Sequence, residues 1–224
     1  MKKLFELINK NLFSNIFQKK VSWLDPQDLP IITISREKGS GGRPIAHLIA
    51  KKLGRPWKVY HEAIVDEISK ETHLRKDLIK ELDERNIPLI DEMIAEFFGT
   101  RYLNMGNYYK HLIKTLTTIG HRGYAVIVGR GAQHLFPHAL KVRVICEWDQ
   151  RIAWMMEFEK VSRSEAVKRI EKSDIERYEF EQSIFKHDIK KAQHYNFIIR
   201  TGKTVSIEDA ANTIVFLAKR RFRI

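Results

Sequence analysis

Apolar residues along the chain alternate between two patterns. Ile31, Ile32, Thr33, Ile34 and Ser35 form a short β-branched run without charge, apolar on both faces, as expected of a strand buried in a parallel sheet. Ile45, Leu48, Ile49 and Leu53 then recur at helical spacing, with Pro44 in a first-turn position and Gly54 placed to close the helix. Strand patterning returns at residues 124–128, 142–146 and 197–200, with a weaker candidate at 57–60. Between these runs the chain reads as helix: 62–121, punctuated by Pro88, Gly99 and Gly106, then about 149–158 and 164–193. Thr72 is a candidate N-cap for a helix carrying Leu74, Leu78 and Leu82, and Ser162 with Glu165 has the spacing of a capping box. Ser206, Ile207, Glu208 and Asp209 open a final helix with Ala210, Ile214 and Leu217 inward. Strands separated by helices require crossover connections, so the pattern predicts an α/β fold with a parallel sheet.

Ahead of the first strand, Phe5, Ile8, Leu12 and Ile16 form a helical stripe over residues 4–17, with lysines at other positions. Such a basic amphipathic helix suits its own domain, a protein partner or a membrane surface as a docking face. Asp25-Pro26 and Leu29-Pro30 then mark a linker, giving an N-terminal helix and linker (1–29) and one domain over 30–221.

Composition narrows the class. With 43% hydrophobic and 30% charged residues among 224, the chain is of ordinary globular type and long enough for one large core. Its 40 Lys and Arg against 28 Asp and Glu leave a formal charge of +12, which favours anionic partners: nucleotides, nucleic acid or an acidic membrane. No nucleic-acid motif accompanies that charge, so a nucleic-acid module ranks last. Cys146 is the single cysteine and cannot form an internal disulfide; in its apolar run it reads as a small buried hydrophobe in a reducing compartment. The nine histidines are scattered, without metal-ligand spacing relative to the cysteine. No run approaches the ~18 apolar residues of a spanning helix, and Glu6, Asn9 and Lys10 interrupt the only N-terminal candidate for a signal segment. The expected location is cytoplasmic.

Candidate chemistry lies at residues 35–43. A turn from a buried strand into a helix presents unpaired backbone N–H groups at the positive end of the helix dipole, which is an anion site. Gly39, Gly41 and Gly42 permit that turn, and Arg36, Lys38 and Arg43 bring positive charge. The common phosphate loop GxxxxGK[ST] is not reproduced: with Gly41 on its second glycine, Arg36 occupies the first glycine, Gly42 the lysine and Arg43 the hydroxyl position.

The segment Ile32-Thr33-Ile34-Ser35-Arg36-Glu37, then Gly39-Ser40-Gly41-Gly42-Arg43, resembles the opening of the cytidylate-kinase-like family. The likeness continues through Ile45-Ala46, Leu53-Gly54, Val59-Tyr60 and Ile127-Val128-Gly129-Arg130-Gly131-Ala132, and covers about residues 30–218. It implies a P-loop NTPase-like three-layer fold: a five-stranded parallel sheet, a helical substrate-binding insertion (about 62–121) and an arginine-bearing lid (about 151–193). It further implies transfer of the γ-phosphoryl group of ATP, with Mg²⁺, to a nucleoside monophosphate such as CMP or dCMP.

Carried over to this chain, Ser35, Arg36, Gly39, Ser40, Gly41, Gly42 and Arg43 would hold the donor phosphates, with Lys38 or Arg43 replacing the absent lysine. Arg130, with His61 where the family commonly has Asp, would bind the acceptor. Arg151, Arg169 and Arg177 would close from the lid, with Asp174 orienting an arginine and Ser40 the candidate metal ligand. The missing lysine and hydroxyl leave a second class open: a non-catalytic nucleotide sensor or scaffold.

Overall fold

The computed structural model describes residues 30–70 and 86–224; the 4–17 stripe and the Thr72 cap with its helix lie outside them. Five strands form one sheet: β1 (Ile31–Arg36), β2 (Lys58–His61), β3 (Ala125–Val128), β4 (Leu140–Cys146) and β5 (Phe197–Thr201). Their order is β2-β3-β1-β4-β5 and every pairing is parallel, with Ile31 opposite Ala125 and Ile32 opposite Leu140 on the two sides of β1.

A parallel sheet needs a crossover between neighbours, and helices supply it. Helix α1 (Gly42–Leu53) follows β1, while α2 (Glu62–Lys70), α3 (Asn86–Phe98), α4 (Thr100–Leu103) and α5 (Asn107–Arg122) lie between β2 and β3. The short α6 (Ala132–Leu135) follows β3. Helices α7 (Trp148–Glu159) and α8 (Arg163–Phe185) and a 3₁₀ turn (Ala192–His194) precede β5, and α9 (Ile207–Phe222) ends the chain.

Successive strand residues point to opposite faces, so β1 feeds two cores at once. Ile31, Ala125 and Ile127 pack with Val65, Ile94, Leu112, Leu116 and Phe185 on one side. Ile32, Ile34, Val126, Val128 and Val144 pack with Ile45, Ile49, Ala211, Ile214 and Phe222 on the other. Each Ile taken fully from water contributes about 1.5–3 kcal/mol, which is why the uncharged β1 run sits mid-sheet. Ile152 and Met155 of α7 meet Ala166 and Ile170 of α8 in a third, smaller cluster, so these helices form a separate arm.

Element ends explain the differences from the sequence reading. The helix expected over 164–193 stops at Phe185, because Lys186 takes a left-handed conformation (φ 59°) and the chain turns back toward the sheet. The weak strand at 57–60 runs from Lys58 to His61, and Trp57 instead fills the core beside Phe222 and Tyr124. Pro88 falls inside α3 rather than between helices, in its first turn, where the lost N–H has no intrahelical partner to miss. Only half of the box at α8 forms: Ser162 Oγ accepts from Glu165 N–H, while the Glu165 carboxylate takes Arg169. At α9 both halves are present, through Ser206 and Asp209. No helix among the described residues is long and apolar enough to cross a membrane.

Candidate active site

The loops after β1 and β3 leave adjacent strands at the same sheet edge, so residues 36–43 and 129–131 face one crevice, where α/β sheets bind ligands. In the first loop Gly41 has φ +81°, a conformation most side chains resist, and is the N-cap of α1. It offers no side-chain cap, and α1 has no acidic residue in its first turn. The start of α1 is thus an electropositive end open to an anion. The glycines also serve packing. A Cβ at 42 would lie 2.8 Å from Arg36 Cβ, and one at 39 would lie 3.0 Å from the Arg151 carbonyl.

The basic residues of that loop separate. Arg36 leaves the end of β1 toward the β3 loop, so close to Gly129 that a Cβ there would meet its Nη1 at 2.2 Å. There its Nη2 donates to Glu62 Oε2 at 2.8 Å. Lys38 turns the other way: its Nζ donates to Glu159 of α7 at 2.5 Å, and its backbone N–H donates to Asp174. Arg43 stays exposed, 3.5 Å from His61 Nδ1. Burial first, then Arg43, His47 and Arg36, holds the His61 imidazole below its ordinary pKa.

Ser40 does not suit a metal. It is fully buried, its hydroxyl donates to the Glu37 carbonyl at 2.9 Å, and it lies 3.2 Å from the Val144 carbonyl. Ser35 is buried too, with Arg143 Nη1 donating to its hydroxyl at 3.0 Å. Both serines tie the loop to β4 and its neighbours.

A pocket lies beside the loop, lined by Ser35, Arg36, Glu62, Gly129, Arg130, Ser173, Glu176, Arg177, Phe180, Glu181 and Ile189. Arg130, at φ +60° between two glycines, places Nη2 2.9 Å from Glu62 Oε1 and also pairs with Asp66. Arg177 of α8 lies 3.9 Å from Glu62 and 3.5 Å from Asp174. Three guanidiniums therefore surround one carboxylate. Burial alone would raise the Glu62 carboxyl, yet Arg130, Arg36 and Arg177 hold it below its ordinary value. Burial, with Arg36 beside it, pushes Arg177 down to about 10 against the pull of Glu62 and Asp174. Arg130 Nε and Arg177 Nε and Nη1 are buried without hydrogen-bond partners, donors for which an incoming anion would be the acceptor.

The arm holds Arg151 and Asp174 together. Arg151, buried, donates Nε to the Lys38 carbonyl at 2.7 Å and pairs through Nη2 with Asp174, so these two residues clamp arm to loop. Arg169 does not line the pocket: it is half-exposed and pairs with Glu165 and with Glu159, the carboxylate that also holds Lys38. Sequence reading missed Glu62 and Asp66. They stand four apart on one face of α2, and the signal was an acidic residue opening a helix directly after the Val59-Tyr60-His61 run.

The sequence profile of the cytidylate kinase-like family matches residues 31–203, which include both loops, the pocket and the arm. The chain belongs to the cytidylate kinase-like family. Within the family's matched span, Arg36, Arg130 and Arg177 all converge on the crevice. No curated protein matches the chain. Its fold is similar to that of an uncharacterised protein from Eubacterium ventriosum, at TM-score 0.58 and 20% identity, over 85% of this chain and 98% of that one. A protein from Thermus thermophilus is more distant, at TM-score 0.46 and 15% identity, over 86% of this chain and 97% of its own.

Proposed function

We propose that the protein is a nucleotide kinase that transfers the γ-phosphoryl group of ATP to a nucleoside monophosphate of the CMP or dCMP kind. The observation that carries this reading is the set of three guanidiniums around Glu62, two of them with buried, unpartnered N–H groups, beside an uncapped helix N-terminus. In the reaction an acceptor phosphate oxygen bonds to the γ-phosphorus as its bond to the β–γ bridging oxygen breaks, leaving ADP. Protein help is mostly positioning and charge neutralisation. The start of α1, with Arg43, would hold donor phosphates; Arg130, with Arg36, would grip the acceptor phosphate through bidentate forks. Glu62 keeps those forks in place until a phosphate dianion replaces it.

The residue ranges 62–121 and 151–193 would then be the acceptor insertion and the lid, with residues 30–221 as the whole domain. Arg177 and the Arg151–Asp174 clamp would bring the lid onto the phosphates. Kinase chemistry commonly uses Mg²⁺ carried on the nucleotide's own phosphates; the buried Ser40 hydroxyl does not fit as its ligand.

The test is ADP formation from ATP and Mg²⁺ with a full panel of nucleoside monophosphates. Turnover with CMP or dCMP supports the reading, and silence across the panel overturns it. A second reading, a nucleotide sensor without transfer, is favoured by the engagement of Lys38 with Glu159 and of Ser40 with Glu37. Thermal-shift titration with ATP beside the turnover assay separates the two.

A further inference from the structure

Histidines that look scattered in sequence meet in space. His134 of α6, His187 just past α8 and His194 of the 3₁₀ turn place one ligand-capable nitrogen each within 4.8 Å of one another. The rings of His134 and His187 stack at 4.6 Å, and those of His187 and His194 lie 4.7 Å apart. They line a groove that also holds Gln133, Lys141 and Asn196, on the far side of Glu181 from the pocket described above.

We propose that His134, His187 and His194 bind a zinc-class divalent transition ion, at a site separate from the phosphoryl-transfer pocket. Neutral imidazole is a preferred donor for such ions. His134 has the support usual for a metal-bound histidine: its Nε2 lies 2.6 Å from the buried Glu181 carboxylate, which also takes the Gln133 amide at 3.0 and 3.1 Å. That contact fixes the ring and leaves its Nδ1 for the ion. His194 Nε2 is buried with no hydrogen-bond partner. Zn–N bonds of about 2.0–2.1 Å put neighbouring ligand nitrogens about 3.3 Å apart. Binding therefore draws the nitrogens together by at most ~1.5 Å and turns the His187 ring out of its stack on His134, so that both in-plane lone pairs meet at one ion. With three protein ligands the fourth position is left to water.

Such an ion would join α6, directly after the Gly129-Arg130-Gly131 loop, to the end of α8. Glu181 would then be shared, supporting a ligand on one side and lining the acceptor pocket on the other. The proposal does not depend on the kinase reading.

The experiment is calorimetric titration of Zn²⁺ into the full, tag-free, chelator-treated chain, with Mg²⁺ as a parallel titrant. One Zn²⁺ per chain is expected, with a raised melting temperature that Mg²⁺ does not reproduce. His187→Ala and His194→Ala, checked for fold by circular dichroism, should each weaken Zn²⁺ at least tenfold. Glu181→Gln should weaken it about 10–100-fold, while His121→Ala should leave it unchanged. X-ray absorption of the zinc complex should show imidazole scattering. Absence of stoichiometric binding, or equal binding by the wild type and both histidine variants, overturns the proposal. Misfolding of either histidine variant shifts the decision to the absorption spectrum of the wild type, where a shell without imidazole overturns it as well.

Discussion

Arg36 and Glu62 face each other across the crevice at 2.8 Å, joining the end of β1 to the first turn of α2. The pair brings the residue at the phosphate loop's first-glycine position into the neighbouring pocket, next to Arg130 and Arg177. The basic residues that the sequence groups in one loop thus part, with Arg36 in the pocket and Lys38 held by Glu159.

Arg130→Ala removes the guanidinium that Glu62 and Asp66 jointly hold. Turnover is expected to fall by about 10²–10³, the usual loss when one preorganised donor to a developing charge is deleted. Circular dichroism should show the fold retained, and steady-state kinetics should place the loss in kcat/KM.

The Glu62 carboxyl is held below its ordinary value of 4.5 by three arginines. A depressed carboxyl contributes stability that is complete above the unfolded value and is lost as pH falls through the folded one. Wild type should therefore exceed Glu62→Gln in urea midpoint at pH 7, with the gap closing as pH drops below about 4.5. A gap that persists unchanged to pH 3 would contradict the arrangement.

Lys38 is held by Glu159 at 2.5 Å, so two roles compete for one ammonium. If Lys38 serves the nucleotide, Lys38→Met should weaken ATP binding about tenfold, about 1.4 kcal/mol, while Glu159→Gln should leave it unchanged or tighter. Equal losses in both variants would assign the lysine to the arm alone. Equilibrium binding of a fluorescent ATP analogue distinguishes these outcomes.

Gly131, at φ +69°, lies against Phe185: a Cβ there would sit 2.0 Å from the ring. Gly131→Ala should cost about 2–4 kcal/mol, combining overpacking with a left-handed non-glycine residue. Urea denaturation measures it. A variant as stable as the wild type would mean that Phe185 yields easily.

The sheet was legible because its signals are local. The uncharged run from Ile31 to Ser35 is buried on both faces, as its composition required. The site was legible only where one segment carries it. Arg130 was found because a charged residue between glycines at a strand end has few structural uses. Arg169 shared the charge pattern of Arg177, yet it lies eight residues, about 12 Å, farther back along α8, where Glu165 and Glu159 hold it away from the pocket. Glu62 and Asp66 carry only a local signal, four apart at the start of a helix, that does not say what they face; the three histidines depend on tertiary convergence, which no spacing in the chain announces.

Cys146 is the chain's single cysteine, and it is 8% exposed at the end of β4, where its backbone N–H donates to Glu37 Oε2 at 3.0 Å. Burial also raises its thiol pKa, so alkylation in the closed molecule is slow. The natural sequence therefore carries its own reporter. The rate at which one unmodified thiol reacts is expected to report any opening of the loop after β1 over the end of β4, without an engineered label to disturb it.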